Sequence, residues 1–383
     1  MSILRAFALS REPVAAMMSV GVLWGGFAAL VPDIKLAVGA SDAQLGAALL
    51  MSAAGGMIAM LLAPRFGRVV GHYGLPLAGA AVCLAFLFPS WASSVVGLGF
   101  AMFGIGIAVA QLDITANVMV SARETRAKLH LMNVNHAMFS VAFAITAYCV
   151  GLARQAGYGP SEVLPVLAGV NAGLVVFMYS KAPDVVPPED ETQAPRRVPW
   201  GAIALTGLIL FAAFVGENAT EAWSALHIER TLGAPAGEGS FGPAMLGVVM
   251  AIGRFSGQVV AEKLGHGRLI FWSGVLGIIG ALIIAAAPTP SVAVMGVAVT
   301  ALGLAVIVPS ANSMLGAHVT EKQRSHALSR AWMFGIMGFF IGPAMMGGIS
   351  ELFGLRMSFV AISFLVALVL PAVWMLERRA KPV

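Results

Sequence analysis

The sequence predicts an all-α membrane protein, with twelve transmembrane helices in two pseudo-symmetric six-helix bundles. Three observations carry this. Of 383 residues, 59% are apolar and 11% are charged, against about 45–50% and 25% in soluble domains, and the mean hydropathy is +0.88. Apolar runs long enough to span a bilayer recur along the whole chain. The loops between them alternate between rich and poor in Lys and Arg. Twelve spans of roughly 20 residues use roughly 240, which leaves no room for a sizeable soluble domain. Composition therefore excludes an ordinary soluble enzyme, a nucleic-acid binder and a disordered chain. The net charge of +5 does not restore nucleic acid, because the position of charges matters more than their sum.

The first apolar segment, 14–37, follows Arg5 and Arg11. It begins like a signal peptide but lacks a small-residue cleavage site, so an uncleaved helix is expected. The second, 43–64, starts after Gly39-Ala-Ser-Asp42, a turn-forming break. The third and fourth, 75–93 and 95–120, almost touch near Ala92–Val95. The fifth and sixth, 131–154 and 161–181, complete the first half. Residues Ala182–Pro199 then carry Pro187-Pro188-Glu189-Asp190-Glu191. Such a stretch cannot build a packed core and is expected to be a flexible linker. Segments 199–226, 241–262, 269–287, 291–315, 327–350 and 356–376 follow, separated by breaks such as Pro288-Thr-Pro290 and Gly354. The expected organisation is a bundle over 1–181, a cytoplasmic linker over 182–198 and a second bundle over 199–383.

Placing both termini in the cytoplasm puts 18 Lys and Arg on that side and four (Lys35, Arg154, Arg230 and Arg356) on the other. Arg254, within a span, completes the 23. This bias follows the positive-inside rule loop by loop, so the termini are expected inside. The halves also repeat. Val70-Gly-His-Tyr-Gly74 follows the second span as Ala261-Glu-Lys-Leu-Gly265 follows the eighth. Asn117-Val-Met119 matches Asn312-Ser-Met314, and Met138-Phe139 matches Met333-Phe334, in one register. Several matches in register, with matching topology, are evidence of duplication. Cys83 and Cys149, far apart in apolar stretches, are expected to pack as small hydrophobes. No metal-ligand spacing, phosphate loop or catalytic triad is visible, so neither a cofactor nor a metal is expected.

With twelve spans, a six-plus-six repeat and a central cytoplasmic loop, the chain resembles the major facilitator superfamily. That family carries Gly-x-x-x-Asp-Arg-x-Gly-Arg-Arg after the second span and an echo after the eighth. Here Glu262-Lys263-Leu264-Gly265 stands where Asp-Arg-x-Gly is expected in the second copy. The first copy departs: Gly71 and His72 occupy the Asp and Arg places, leaving Tyr73 and Gly74. A narrower likeness lies in Leu112-Asp113-Ile-Thr-Ala-Asn117, Glu124, Asn135-His136-Ala-Met-Phe139-Ser140 and Gly216-Glu217-Asn218…Trp223-Ser224-Ala225. These resemble a bacterial branch similar to the fucose-permease-like sugar:proton symporters. The resemblance implies secondary active transport through a central cavity with alternating access. Gly338-Phe-Phe-Ile-Gly342-Pro343 resembles the antiporters' Gly-x-x-x-Gly-Pro motif, but here it lies in the eleventh span rather than the fifth.

Candidate site residues follow from intramembrane polarity. Asp113 precedes Arg123 by ten residues, about 15 Å along a helix, which puts it near mid-membrane. A carboxylate there costs about 2.5–3.5 kcal/mol on insertion scales and faces a cavity or a partner. A carboxyl that takes up and releases a proton at that depth suits coupling; the alternative is a structural ion pair with Arg254. His136 titrates in a useful range, and Glu217 shares a helix face with Glu221; Glu221 is expected to reach outer water. The proton-coupling candidates are therefore Asp113, Glu217 and His136. Asn117, Asn135, Asn218 and Asn312 are substrate-binding candidates, with Trp24 and Trp332 as aromatic walls. Arg254, Glu262, Gly74, Gly265 and Pro343 are structural or gating candidates, Arg254 as a brace near the cytoplasmic end. His318 and His326 are expected in solvent, and Met132, Met138, Met333 and Met337 in packing.

The expected protein is a monomeric transporter of the bacterial inner membrane. It moves a small polar solute, a sugar or an organic acid, by proton-coupled symport. A proton-coupled drug efflux antiporter is the alternative within the class. A membrane-embedded enzyme and a non-transporting sensor are the alternatives outside it.

Overall fold

The computed structural model describes residues 7–127, 131–179 and 199–379, and every regular element among them is helical. The expected linker, 182–198, lies outside the described residues. Nine helical stretches among them are long and apolar enough to cross a membrane. One of these, Asp42–Trp91, combines the second and third spans. Pro160–Val176, the sixth, is apolar but shorter, and the eighth, Phe241–Leu264, carries Arg254, Glu262 and Lys263.

The spans run Arg11–Ala37, Asp42–Val70, Gly74–Ala85 with Phe88–Trp91, Val95–Ala127, Met132–Gln155 and Pro160–Val176 in the first half. The second half has Trp200–Leu226, Phe241–Leu264, His266–Ala286, Pro290–Leu304 with Ile307–Ala317, Glu321–Phe353, and Leu355–Ala367 with Val369–Glu377. The seventh span continues into a π turn, His227–Thr231. Three spans are broken, and proline accounts for each break. A proline ring clashes with the carbonyl four residues back. Pro89, Pro309 and Pro371 lie four residues after Ala85, Ala305 and Ala367, where the helices end or step.

Polar caps and glycines set the helix ends. Ser41 Oγ accepts from Gln44 N at 3.3 Å while Gln44 Oε1 accepts from Ser41 N at 2.9 Å, a capping box that starts the second span. The loops that repeat between halves differ in backbone. Gly265 adopts φ +78, a left-handed value open to glycine. In the first copy the positive φ falls at Gly71, three residues before Gly74, and Gly74 itself is helical with φ −56. Gly74 and Gly265 therefore do not share one backbone role. This agrees with the degenerate sequence of the first loop.

Six spans pack in each half, and the halves meet along a seam. The second span packs on the eleventh, the fifth on the eighth and the first on the seventh. Call the end holding the described residues nearest the chain termini the termini end, and the other the distal end. Small residues bring the seam close near the distal end. A side chain on Gly46 would collide with the Pro343 carbonyl of the eleventh span, and one on Gly247 with Phe143 and Ala144 of the fifth. One buried apolar cluster runs through both halves, and the first span is the most enclosed. Exposed Phe100, Val176, Trp272 and Phe364 belong on a surface wetted by hydrocarbon rather than water.

Candidate substrate and coupling site

The fifth, seventh and eighth spans place five polar side chains at one point of the seam. Arg254 lies ten residues before Leu264, about 15 Å along the eighth span, and its side chain is half-buried. A guanidinium stays charged and requires partners in such a place. Its Nη2 donates to Glu217 Oε1 at 2.7 Å, and its Nη1 donates to Ser140 Oγ at 2.8 Å. Ser140 belongs to the first half and Glu217 to the second, so Arg254 links the halves at mid-depth. Glu221 sits one turn beyond Glu217 on the same face. It lines a cleft with Glu217, Ser140, Arg254, Phe139 and Phe143. Both Glu221 and His136 lie within electrostatic reach of Arg254.

Three expectations about these residues change. Arg254 sits at mid-depth rather than bracing the cytoplasmic end, and its carboxylate partner is Glu217 rather than Asp113. Asp113 lies two turns from Gly106, whose crossing with Ser52 faces the second span, so it points within its own half. No ion pair reaches Asp113 among the described residues; Asn117 Nδ2 donates to its backbone carbonyl at 2.9 Å. Glu221 lines the cleft instead of outer water, because the seventh span continues for more than two turns beyond it.

The substrate-binding candidates divide. Trp332 Nε1 donates to Asn312 Oδ1 at 3.2 Å, and the Trp332 ring lies 5.4 Å from that of Phe214. Phe214 is three residues before Glu217, so this aromatic wall adjoins the charged cluster. Asn218 Oδ1 is buried without a hydrogen-bond partner. Asn135 is fully buried; its Nδ2 donates to Leu131 O at 2.8 Å and its Oδ1 has no partner. Trp24 is half-buried and meets Phe27 edge-on with centroids 6.0 Å apart. Glu262 is exposed on the termini end, while Pro343 presents its carbonyl to Gly46. His318 is buried and its Nδ1 lies 2.8 Å from Met314 O, so it is not the solvated loop residue expected. Met333 and Met337 are exposed rather than packed.

The sequence reading missed the polar residues that close the distal end. Arg154, at the end of the fifth span, is 4% exposed. It donates to Asp33 Oδ2 and Oδ1 at 2.6 and 2.7 Å, to Ala29 O at 2.9 Å, and to Glu229 Oε1 and Oε2 at 2.6 and 2.8 Å. Asp33 belongs to the first half and Glu229 to the second. A second link pairs Asp42 with Arg230, with Ser350 donating to the same carboxylate and Lys35 at 3.2 Å. Glu351 of the eleventh span accepts from Asp42 N at 2.9 Å and Ala43 N at 3.3 Å, and so caps the second span from the opposite half. At the termini end, Arg123 bonds Glu12 at 2.6 Å within the first half.

A family model described as the Major Facilitator Superfamily matches residues 14–302 and 206–383. An uncharacterised MFS-type transporter of Yersinia pestis is 24% identical over 355 residues, covering 91% of each chain. The membrane protein MosC of Rhizobium meliloti is 26% identical over 345 residues, covering 88% of this chain and 82% of its own. Among solved structures, the fold is similar to a bacterial homologue of the human lysosomal transporter Spinster, in its inward-facing and occupied conformation. The TM-score there is 0.78 at 16% identity, with both chains fully covered. At that identity the likeness concerns the fold alone.

Proposed function

The chain belongs to the Major Facilitator Superfamily and is a membrane transporter of that type, and from that premise we propose proton-coupled uptake of a small polar solute across the bacterial inner membrane by alternating access. The observation that carries the reading is the closure of the seam at the distal end. Ion pairs join the halves there, Arg154 to Glu229 and Arg230 to Asp42. With the termini in the cytoplasm, as the Lys and Arg bias favours, this arrangement is closed to the outside. The Arg254 bonds to Glu217 and Ser140 then sit where the solute path crosses the seam. For the opposite state to form, the distal pairs and the Arg254–Ser140 bond must break.

In this mechanism the solute docks at the cleft beside Glu217 and the Trp332–Asn312 wall. Asn117, Asn135, Asn218 and Trp24 belong to the same proposed path. Asp113 carries the coupling proton within the first half, with His136 and Glu217 as further proton sites at the seam. One charge moving through 100 mV gains about 2.3 kcal/mol, which is ample to drive accumulation. The test begins with thermal stabilisation by a panel of sugars, organic acids, nucleosides, amines and lipophilic cations at pH 6 and 8. Proteoliposomes then measure uptake of each solute that binds, with the outside made acidic. Accumulation above the equilibrium level, lost when the gradient is collapsed, supports the proposal. Efflux of lipophilic cations alone, or binding with no flux, contradicts it.

A further inference from the structure

We propose that the groove between the fifth, eighth and tenth spans at the distal end binds a phospholipid of the adjoining leaflet, its acyl chain along the groove and its ammonium headgroup on Glu238, and that the bound lipid holds the two halves together there. This site is separate from the solute cleft and does not depend on which solute is carried. The groove has a volume of about 700 Å³, within the about 300–1,000 Å³ of ordinary ligand sites. Ile145 and Tyr148 of the fifth span line one side; Phe241 and Val248 of the eighth and Val294 of the tenth line the other. From Phe241 to Val248 it runs about 10 Å along the helix, a third of the about 30 Å hydrocarbon core. Ile145 is 60% exposed and Val248 46%, so the groove opens on the outside of the bundle, where acyl chains lie. Its floor is the crossing of the fifth and eighth spans, where a side chain on Gly247 would collide with Ala144 and Phe143. Gly247 and Phe143 line the cleft at Glu217 and Arg254 from the other side, so this crossing separates the two sites.

The mouth selects the headgroup. Glu238 lies on the short turn Glu238–Ser240 that leads into the eighth span, and it lines the groove. Among the described residues its carboxylate has no ion pair or hydrogen bond. No Lys or Arg among the described residues lines the groove to draw in a phosphate. A headgroup that ends in an ammonium places it on Glu238 and leaves its phosphate in water. The rings of Tyr148 and Phe241, 5.9 Å apart, stand beside it, and aromatic faces attract such a cation. A headgroup of net negative charge meets Glu238 as a like charge and is repelled.

The walls belong to different halves, so the lipid touches both only while the distal end is closed. The turn that carries Glu238 is itself part of that closure. Gly237 N and Gly239 N donate to Glu229, the carboxylate that binds Arg154. Ser240 Oγ donates to Ala29 O of the first span at 3.4 Å. A ligand that binds one conformation better shifts the population toward it, and here that conformation is the distal-closed one.

The test uses the full-length protein, purified in detergent, stripped of lipid and titrated with phosphatidylethanolamine or phosphatidylglycerol of identical chains. Native mass spectrometry and thermal stabilisation read the binding. Phosphatidylethanolamine is expected to bind at least fivefold tighter. Glu238→Gln is expected to remove that preference, and Glu162→Gln, at an exposed distal loop, to leave it unchanged. Val248→Trp, which fills the groove, is expected to weaken both lipids at least fivefold. In nanodiscs, spin labels on Leu36→Cys and Leu352→Cys, with the native cysteines replaced by Ser, are expected to show more distal-closed protein in phosphatidylethanolamine than in phosphatidylglycerol. Glu238→Gln is expected to abolish that difference. Equal or tighter binding of phosphatidylglycerol overturns the site, as does a preference that survives Glu238→Gln or binding unaffected by Val248→Trp. A distal-closed population indifferent to the headgroup overturns the hold on the halves. The wild-type comparison of the two lipids stands even if Val248→Trp fails to fold.

Discussion

Replacing Glu229 with Gln removes one charge from the distal closure and leaves Arg154 paired with Asp33 in its own half. Glu229 gives Arg154 two charge-assisted bonds, at 2.6 and 2.8 Å, and also accepts from Gly237 N and Gly239 N at 3.0 and 3.2 Å. The amide oxygen of Gln can keep the glycine contacts and one bond to Arg154, and the second bond is lost. A hydrogen bond to a charged group contributes about 1.5–3 kcal/mol. The loss is about 2 kcal/mol of hold between the halves. That is a factor of about 30 in the ratio of distal-closed to distal-open protein. Spin labels on Leu36→Cys and Leu352→Cys, exposed positions in opposite halves near the distal end, measure the separation directly, with Cys83 and Cys149 replaced by Ser. The wild-type background is expected to give a short distance, and Glu229→Gln a second, longer population. An unchanged distance distribution, in protein that still binds its solute, would refute the argument that this pair holds the seam.

The mid-depth link and the helix crossing give two further outcomes. Arg254→Ala leaves Glu217 without its partner, at a cost of about 3 kcal/mol, and is expected to lower both the melting temperature and transport. Adding Glu217→Gln should restore most of the stability but not the transport, and a double-mutant cycle reads the coupling. Gly46→Val drives a side chain into the Pro343 carbonyl. Overpacking of this kind costs about 1–3 kcal/mol, so a lower melting temperature and a longer Leu36–Leu352 label distance are expected together.

The spans were legible because the bilayer demands long apolar runs, and Lys and Arg mark their ends. The three helix breaks follow from Pro89, Pro309 and Pro371 by local sterics, a signal present in the sequence and not used. The distal closure was harder to see. Asp33, Asp42, Arg154, Glu229 and Arg230 sit at span ends, where a charge is ordinarily solvated, and only tertiary packing shows which ends meet. Arg154 becoming buried between two carboxylates is a property of the seam, not of its own segment. At mid-depth, Glu217 and Arg254 stood out singly as intramembrane charges. Their pairing did not, because the rotation of the fourth span that turns Asp113 toward the second span leaves no local trace in the sequence. Glu221 was assigned to outer water for a similar reason: the seventh span extends through the π turn at His227–Thr231, beyond the apolar segment that marked it.

Coupling of solute movement to protons through Asp113 is tested most directly by a pH-sensitive dye trapped inside proteoliposomes. The bound solute is added outside with no imposed gradient and the membrane potential clamped. The account predicts solute-dependent acidification of the lumen in the wild type. Asp113→Asn should abolish that signal and still bind the solute. Solute entry with no change in lumenal pH, or an undiminished acidification in Asp113→Asn, would contradict it.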